Sequence, residues 1–438
     1  PHPPTMSSSS SSSSTTKRTP GQQSVLAQQQ LWTVLWIVAA FMSVFGFFNG
    51  PVVLFSFVFT ALFFIPSLFL SVFASSDTAE LGEDAVVAAS EGGFLSSLAT
   101  LIIMVIIYYA VLFVLQFKYP AARNVLYKSQ IFPMGVLIMA FSRDFKWKKP
   151  VPNPAAIKDL PASAKQTRRI VFIRHGESEW NEVFNRGMKG FAGRLSSAII
   201  KELQLLTTKD SVFVDASLCE EGMEQGKELR EFLSSKQLDC ADPQIIECLR
   251  GDDDQLVQDS VIVASNLRRA SGTAALGLRQ RLHRTGEQVY LLSCLQEISR
   301  NVDANAISRP KEVPDLHVIN HHMWEGFDPE KLFNAEYNEG QKSLLSSNGY
   351  KRMRDFCEWT FEQSKGTVIV GGGHSFYFRA FFQSFMDLDH EFIGKTNIMH
   401  NSAVVSFTLE RGEKDGRVYY RIDPDVKVLY KGFKAAKK

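Results

Sequence analysis

Four separated stretches of the chain carry side chains suited to handling an anion: Arg174-His175, Arg269, Glu297 and His374. Arginine offers a planar fork of N–H donors that matches phosphate oxygens. A neutral imidazole is a competent nucleophile near pH 7. A carboxyl group beside them, if protonated, hands its proton to a leaving oxygen and afterwards activates water. These residue types describe phosphoryl transfer, whose transition state spreads negative charge over the equatorial oxygens and is stabilised by surrounding donors. Arginine does the neutralising, so no metal and no other cofactor is expected.

Each of these groups follows an apolar run that reads as a buried strand. Ile170-Val171-Phe172-Ile173 stops at Arg174-His175-Gly176. The run Ser260 to Ser265 (SVIVAS) leads into Asn266-Leu-Arg-Arg269. Gln288 to Cys294 ends near Leu295-Gln-Glu297, and Thr367 to Val370 ends in Gly371-Gly-Gly-His374. Ligands of open α/β sheets bind just beyond the carboxyl ends of the strands, so four such groups are hard to explain as core. Helical spacing is read over Ser178–Asn185, Leu195–Leu206, Gly222–Leu233, Tyr350–Phe361 and Phe376–Phe385, with closing strands at Val404–Leu409 and Val418–Ile422. Between them, residues 186–214 read as a lid or a surface excursion. Residues 236–259, with Asp252-Asp253-Asp254, read as a solvated loop. Residues 299–348 are polar, and their His317, His321 and His322 beside Trp324 read as a loop shaping substrate access rather than as metal ligands.

Assembled, the pieces RHGESEWN (174–181), DASLCEEGMEQG (215–226), SNLRRASGTA (265–274), LQEI (295–298), GGHSFYFRA (372–380) and NSAVVSF (401–407) resemble the histidine phosphatase superfamily. They stand in that family's order. The resemblance implies a three-layer α/β/α, phosphoglycerate mutase-like domain with a mainly parallel sheet. It implies that His175 attacks phosphorus and is transiently phosphorylated. Arg174, Arg269 and His374 then hold the phosphoryl group, and Asn181 adds a polar contact. Glu297 protonates the leaving oxygen. In the acid phosphatase and phytase branch an aspartate directly after the second histidine is the proton donor. Ser375 holds that place here, as a candidate substrate contact, so that branch is disfavoured. The mutases follow their glutamate with a Tyr-Gly pair, whereas Glu297 is followed by Ile298-Ser299, which favours hydrolysis of phosphomonoesters over a phosphoglycerate mutase-type transfer. A non-catalytic phosphate-binding scaffold is the remaining alternative. The expected partner is a phosphorylated small molecule, lipid or protein.

The chain has 438 residues and a net charge of +2, so no global field points to nucleic acid. Its five cysteines form no CxxC pair and read as reduced thiols. Residues 1–30 are serine-rich and too polar to fold, a disordered tail rather than a transit peptide. Residues 31–73 carry no charge at all. As one helix they would span about 64 Å, twice a hydrocarbon core of ~30 Å, so a break at Asn49-Gly50-Pro51 is expected. Transmembrane helices are therefore expected at about 31–48, 52–73 and 94–117 within residues 31–117. The loop between the second and third holds Asp77, Glu80, Glu83, Asp84 and Glu91, while the stretch after the third is rich in lysine and arginine. That asymmetry puts the catalytic domain on the cytosolic side of a bilayer. Residues 118–166 read as a basic juxtamembrane segment and a proline-rich linker, with Ile131 to Phe141 lying in the membrane interface or packed on the catalytic domain, expected at 167–430.

Overall fold

The computed structural model describes residues 102–144, 152–235, 241–317, 319, 328–342 and 348–435. The expected spans 31–48 and 52–73, the start of the third, and His321, His322 and Trp324 lie outside them. Residues 102–115 of the third are helical. Among the described residues no helix is long and apolar enough to cross a membrane.

Gln116–Lys438 forms one compact unit, which takes in the segment 118–166 together with the catalytic domain expected from 167. It is built on one eight-stranded sheet of order β4-β3-β2-β5-β1-β6-β7, with β8 paired to β6. The strands are β1 (Lys165–Arg174), β2 (Ser260–Ser265), β3 (Val289–Leu292), β4 (Phe333–Asn334), β5 (Thr367–Gly373), β6 (Val404–Lys414), β7 (Arg417–Ile422) and β8 (Lys427–Tyr430). From β4 to β1 all neighbours run parallel, and β6, β7 and β8 are antiparallel additions.

The central strands are apolar on both faces because both faces are covered, as parallel strands require. Along β1, Ile170 and Phe172 join one core and Val171 and Ile173 the other. The first core takes Met353 and Phe356 from one helix (Gly349–Glu362) and Phe378, Phe381 and Phe382 from another (Ser375–Phe385). The second takes Leu229 and Leu233 from Glu220–Ser234 and Ala274, Ala275 and Leu276 from Arg268–Gly277. This period-2 division makes the three layers expected of the sequence.

In chain order we label seven helices: α1 (Pro120–Phe141), α2 (Glu179–Phe184), α3 (Phe191–Leu205), α4 (Glu220–Ser234), α5 (Arg268–Gly277), α6 (Gly349–Glu362) and α7 (Ser375–Phe385). One stretch differs from expectation. Residues 236–259 are not all loop: Pro243–Arg250 is a helix capped by Asp242, whose Oδ1 accepts from Ile245 N at 3.3 Å, and it buries Ile245, Ile246 and Leu249. The acidic run instead supplies Asp253 as the N-cap of a further turn. Residues 299–348, read as a loop shaping substrate access, bury Asp303, Asn305, Asn338 and Lys342. The four described cysteines are unpaired thiols.

Candidate active site

Because β3, β2, β5 and β1 lie side by side, their carboxyl ends deliver their groups to one place. Neighbouring strands are about 4.8 Å apart, so residues just past the ends of β1 and β5 must abut. They do: the rings of His175 and His374 have centroids 5.0 Å apart, and His175 N donates to Gly373 O at 2.9 Å. Arg174, His175, Arg269, Glu297, His374 and Ser375 are all buried.

His175 Nδ1 lies 2.5 Å from the carbonyl oxygen of Gly176. A carbonyl only accepts, so Nδ1 carries the proton and Nε2 keeps the lone pair. Burial pushes the His175 imidazole well below its ordinary pKa, and the guanidiniums of Arg269 and Arg174 push it the same way. The ring is neutral and nucleophilic at physiological pH.

His374 is fully buried, and neither of its ring nitrogens has a hydrogen-bond partner. Burial first, then Arg269 and His175, hold it far below the usual histidine range. A buried polar group left unpaired costs about 1–3 kcal/mol, a cost that a bound oxygen removes. Arg174 Nη1 donates to Met399 O, while its Nε has no partner. Burial lowers the Arg174 pKa to about 10, so the group stays cationic. Arg269 is aimed by Asp303: Nη1 donates to the Asp303 carbonyl at 2.8 Å and Nη2 lies 3.5 Å from Oδ2.

Glu297 Oε1 accepts from Ile298 N and Tyr377 N, both at 2.9 Å. Tyr377 is in the first turn of α7, whose N-cap His374 makes no side-chain cap, so Glu297 caps that helix instead. Burial raises the Glu297 pKa; Arg269 and the Tyr377 amide pull against it without cancelling it. With Oε1 occupied by two amides, a proton has to sit on Oε2.

The two adjacent arginines divide their work. The Arg269 guanidinium is the charge that acts most on both imidazoles. Arg268 is fully buried, pairs with Asp210, and donates Nε to Asp215 O at 2.8 Å and Nη2 to Ser211 O at 2.7 Å. It thereby ties the end of segment 186–214 to the start of α5. That segment also packs Ala198 and Val212 against Val183 of α2. Asn181 sits on α2, where its Oδ1 accepts from Asn185 Nδ2 at 2.8 Å. Ser375 is the first residue of α7, beside His374. His317 Nε2 lies 3.4 Å from Asp210 Oδ2.

Three groups escape a reading of residue types. Asp303 aims Arg269, while Lys342 and Asp144 lie behind Glu297. Lys342 Nζ donates to Glu297 O at 2.7 Å and to Asp144 Oδ2 at 2.9 Å. No motif marks any of them; the only local signal is that Asp144 is the first acidic residue after Glu91, inside a stretch of bases.

No family model and no curated protein matches the chain. Solved structures do align with it. One called mycobacterial hydrolase 1 is 16% identical, covering 61% of this chain and all of its own, with a TM-score of 0.29. A mycobacterial glucosyl-3-phosphoglycerate phosphatase is 16% identical over 61% of this chain and 100% of its own, with a TM-score of 0.28. A phosphoserine phosphatase mutant from Entamoeba histolytica, in complex with phosphoserine, is 15% identical over 58% of this chain and 94% of its own, with a TM-score of 0.26. Values this low carry no argument about activity, which rests on the site itself.

Proposed function

We propose that the chain is a phosphatase of the histidine phosphatase type, hydrolysing phosphomonoesters through a phosphohistidine on His175. The observation that carries this reading is a pair of buried, neutral imidazoles with centroids 5.0 Å apart, one with a free Nε2 and the other with two unpartnered nitrogens, beside two guanidiniums. Such a set of donors and cations suits an anion with several oxygens. In the forward step His175 Nε2 attacks phosphorus, and the ester oxygen leaves with the proton of Glu297 Oε2. In the return step ionised Glu297 takes a proton from water, whose oxygen attacks the phosphohistidine. His175 regains its lone pair and inorganic phosphate departs. Arg174, Arg269 and His374 hold the phosphoryl oxygens in both steps, which is where such donors act.

The test is the full-length chain incubated with a radiolabelled phosphomonoester and quenched in alkali. A phosphoryl label that survives alkali, is lost in acid and is absent from His175→Ala supports the reading. A His175→Ala protein as active as the parent ends it.

The bilayer anchor over residues 31–117 belongs to the same proposal. It is supported by the uncharged stretch 31–73 and by α1, which leaves Leu137, Met139 and Phe141 exposed. Recovery of the full-length chain in the supernatant after alkaline carbonate extraction of membranes would discard it.

A further inference from the structure

Immediately after α1, Asp144 turns inward and becomes fully buried. Its Oδ2 accepts from Lys342 Nζ at 2.9 Å and from Arg352 Nη2 at 2.8 Å. Its backbone is fixed as well, for Gly349 N donates to Asp144 O at 3.2 Å. Asp144 thereby gathers two cations, Lys342 and Arg352. They reach forward to the backbone of the loop that carries Glu297: Lys342 Nζ donates to the carbonyls of Glu297 at 2.7 Å and Ser299 at 3.3 Å, and Arg352 Nη1 donates to that of Gln296 at 2.5 Å. Gln296 is held in turn by Asn266 Oδ1 and Gly340 O, at 2.7 and 2.8 Å.

We infer that Asp144 is a positioning residue for the proton donor: by neutralising Lys342 and Arg352 it lets them clamp the Gln296–Ser299 loop, so that Glu297 meets the leaving oxygen. The inference rests on the phosphatase reading above and adds to it a residue from outside the motif-bearing domain. The physical need is plain. Lys342 is buried, and burial already lowers its pKa to about 8 against the pull of Asp144. Without that carboxylate the buried ammonium gives up its proton or draws in water, and the clamp on the Glu297 carbonyl loosens. The same segment braces the opposite wall. Gly135 of α1 lies against Val302, since a Cβ there would come within 3.0 Å of Val302 Cγ1, and Val302 precedes the Asp303 that aims Arg269. The segment next to the expected membrane spans is thus built into the support of both the acid and the phosphate clamp.

The experiment compares Asp144→Asn and Glu297→Gln in the full-length chain on two esters. One is p-nitrophenyl phosphate, whose leaving group departs without a proton; the other is glycerol phosphate, whose alkoxide requires one. General acid catalysis contributes about 10²–10⁴-fold, so a misplaced donor is expected to cost roughly 10-fold or more in kcat on glycerol phosphate, and about 3-fold or less on the nitrophenyl ester, with KM little changed. Asp144→Asn added to Glu297→Gln is expected to cost nothing further. Equal losses on both esters, or a full additional loss in the double variant, overturn the positioning role. If Asp144→Asn does not fold, Asp144→Leu with Lys342→Met removes the buried pair without stranding the lysine, and it carries the same comparison. Should Glu297→Gln itself show no dependence on the leaving group, the proton-donor reading fails first; if Glu297→Gln shows it and Asp144→Asn does not, only the present inference fails.

Discussion

The chemistry of single residues here is governed by burial more than by partners. His175 and His374 are both held far below the ordinary histidine pKa, chiefly because water has been taken from them, and only then because arginines stand near. The consequence for stability has a definite sign. In the unfolded chain these imidazoles take up protons near pH 6.5, while in the folded chain they do not. Their contribution to stability is therefore fully present above about pH 6.5 and is lost as pH falls below it. Glu297 and Asp303, raised by burial, act oppositely: the folded state binds their protons more tightly, which costs stability as pH rises through the carboxylate range. The unfolding free energy of the full-length chain, followed by thermal melting, is expected to decline between pH 6.5 and pH 5, by about 1.4 kcal/mol for each pH unit over which one imidazole resists protonation. Replacing His374 by Asn is expected to make that decline shallower. An unchanged slope would mean that the ring is solvated rather than buried.

At the scale of elements, the site depends on how closely backbones approach. A Cβ on Gly222, at the start of α4, would lie 1.9 Å from Glu177 O, and one on Gly176 would lie 2.4 Å from Gly222 O. The loop that carries His175 and the first turn of α4 are in backbone contact, reinforced by Cys219 N donating to Glu177 O at 3.1 Å. Backbone cannot rotate aside as a side chain can. Gly222→Ala is therefore expected to destabilise by about 1–3 kcal/mol or more and to push Gly176, and with it His175, out of register. Urea unfolding and kcat measured on one preparation check both effects. A fully stable, fully active variant would refute the close contact. Much at this scale is legible in the chain itself. Strands of one apolar character that end in Arg-His or Gly-Gly-Gly-His announce their own boundaries. The helix Pro243–Arg250 is not announced, because the acidic run after it masks a short amphipathic turn capped by Asp242.

For the whole molecule, the decisive feature is that α1 and Asp144 belong to the same compact unit as the sheet. Ile131 of α1 packs with Val214, Val302 and Ile307, and Lys128 donates to Leu205 O at 2.6 Å. A fragment begun at Thr167, where the motif-bearing domain starts, strips these contacts and leaves Lys342 without Asp144. Breaking a buried ion pair by deleting one partner costs about 3–5 kcal/mol. Such a fragment is expected to melt well below one begun at Gln116 and to lose hydrolysis of alkyl phosphates. Equal melting temperatures for the two fragments would show that α1 is a passive connector.

Consecutive residues already spell out the continuous apolar runs that build a parallel sheet covered on both faces, with a charged or titratable group past the end of each central strand. Those signals are local, because period and strand termination are properties of consecutive residues. Only packing brings together the polar residues far from any motif that surround the site. Asp144, Asp303 and Lys342 carry no spacing signature, since their roles come from burial beside a cation or a carbonyl contributed by distant chain. Burial of a charge is a property of the packed molecule, and only there does a lone carboxylate after a run of bases meet its partners.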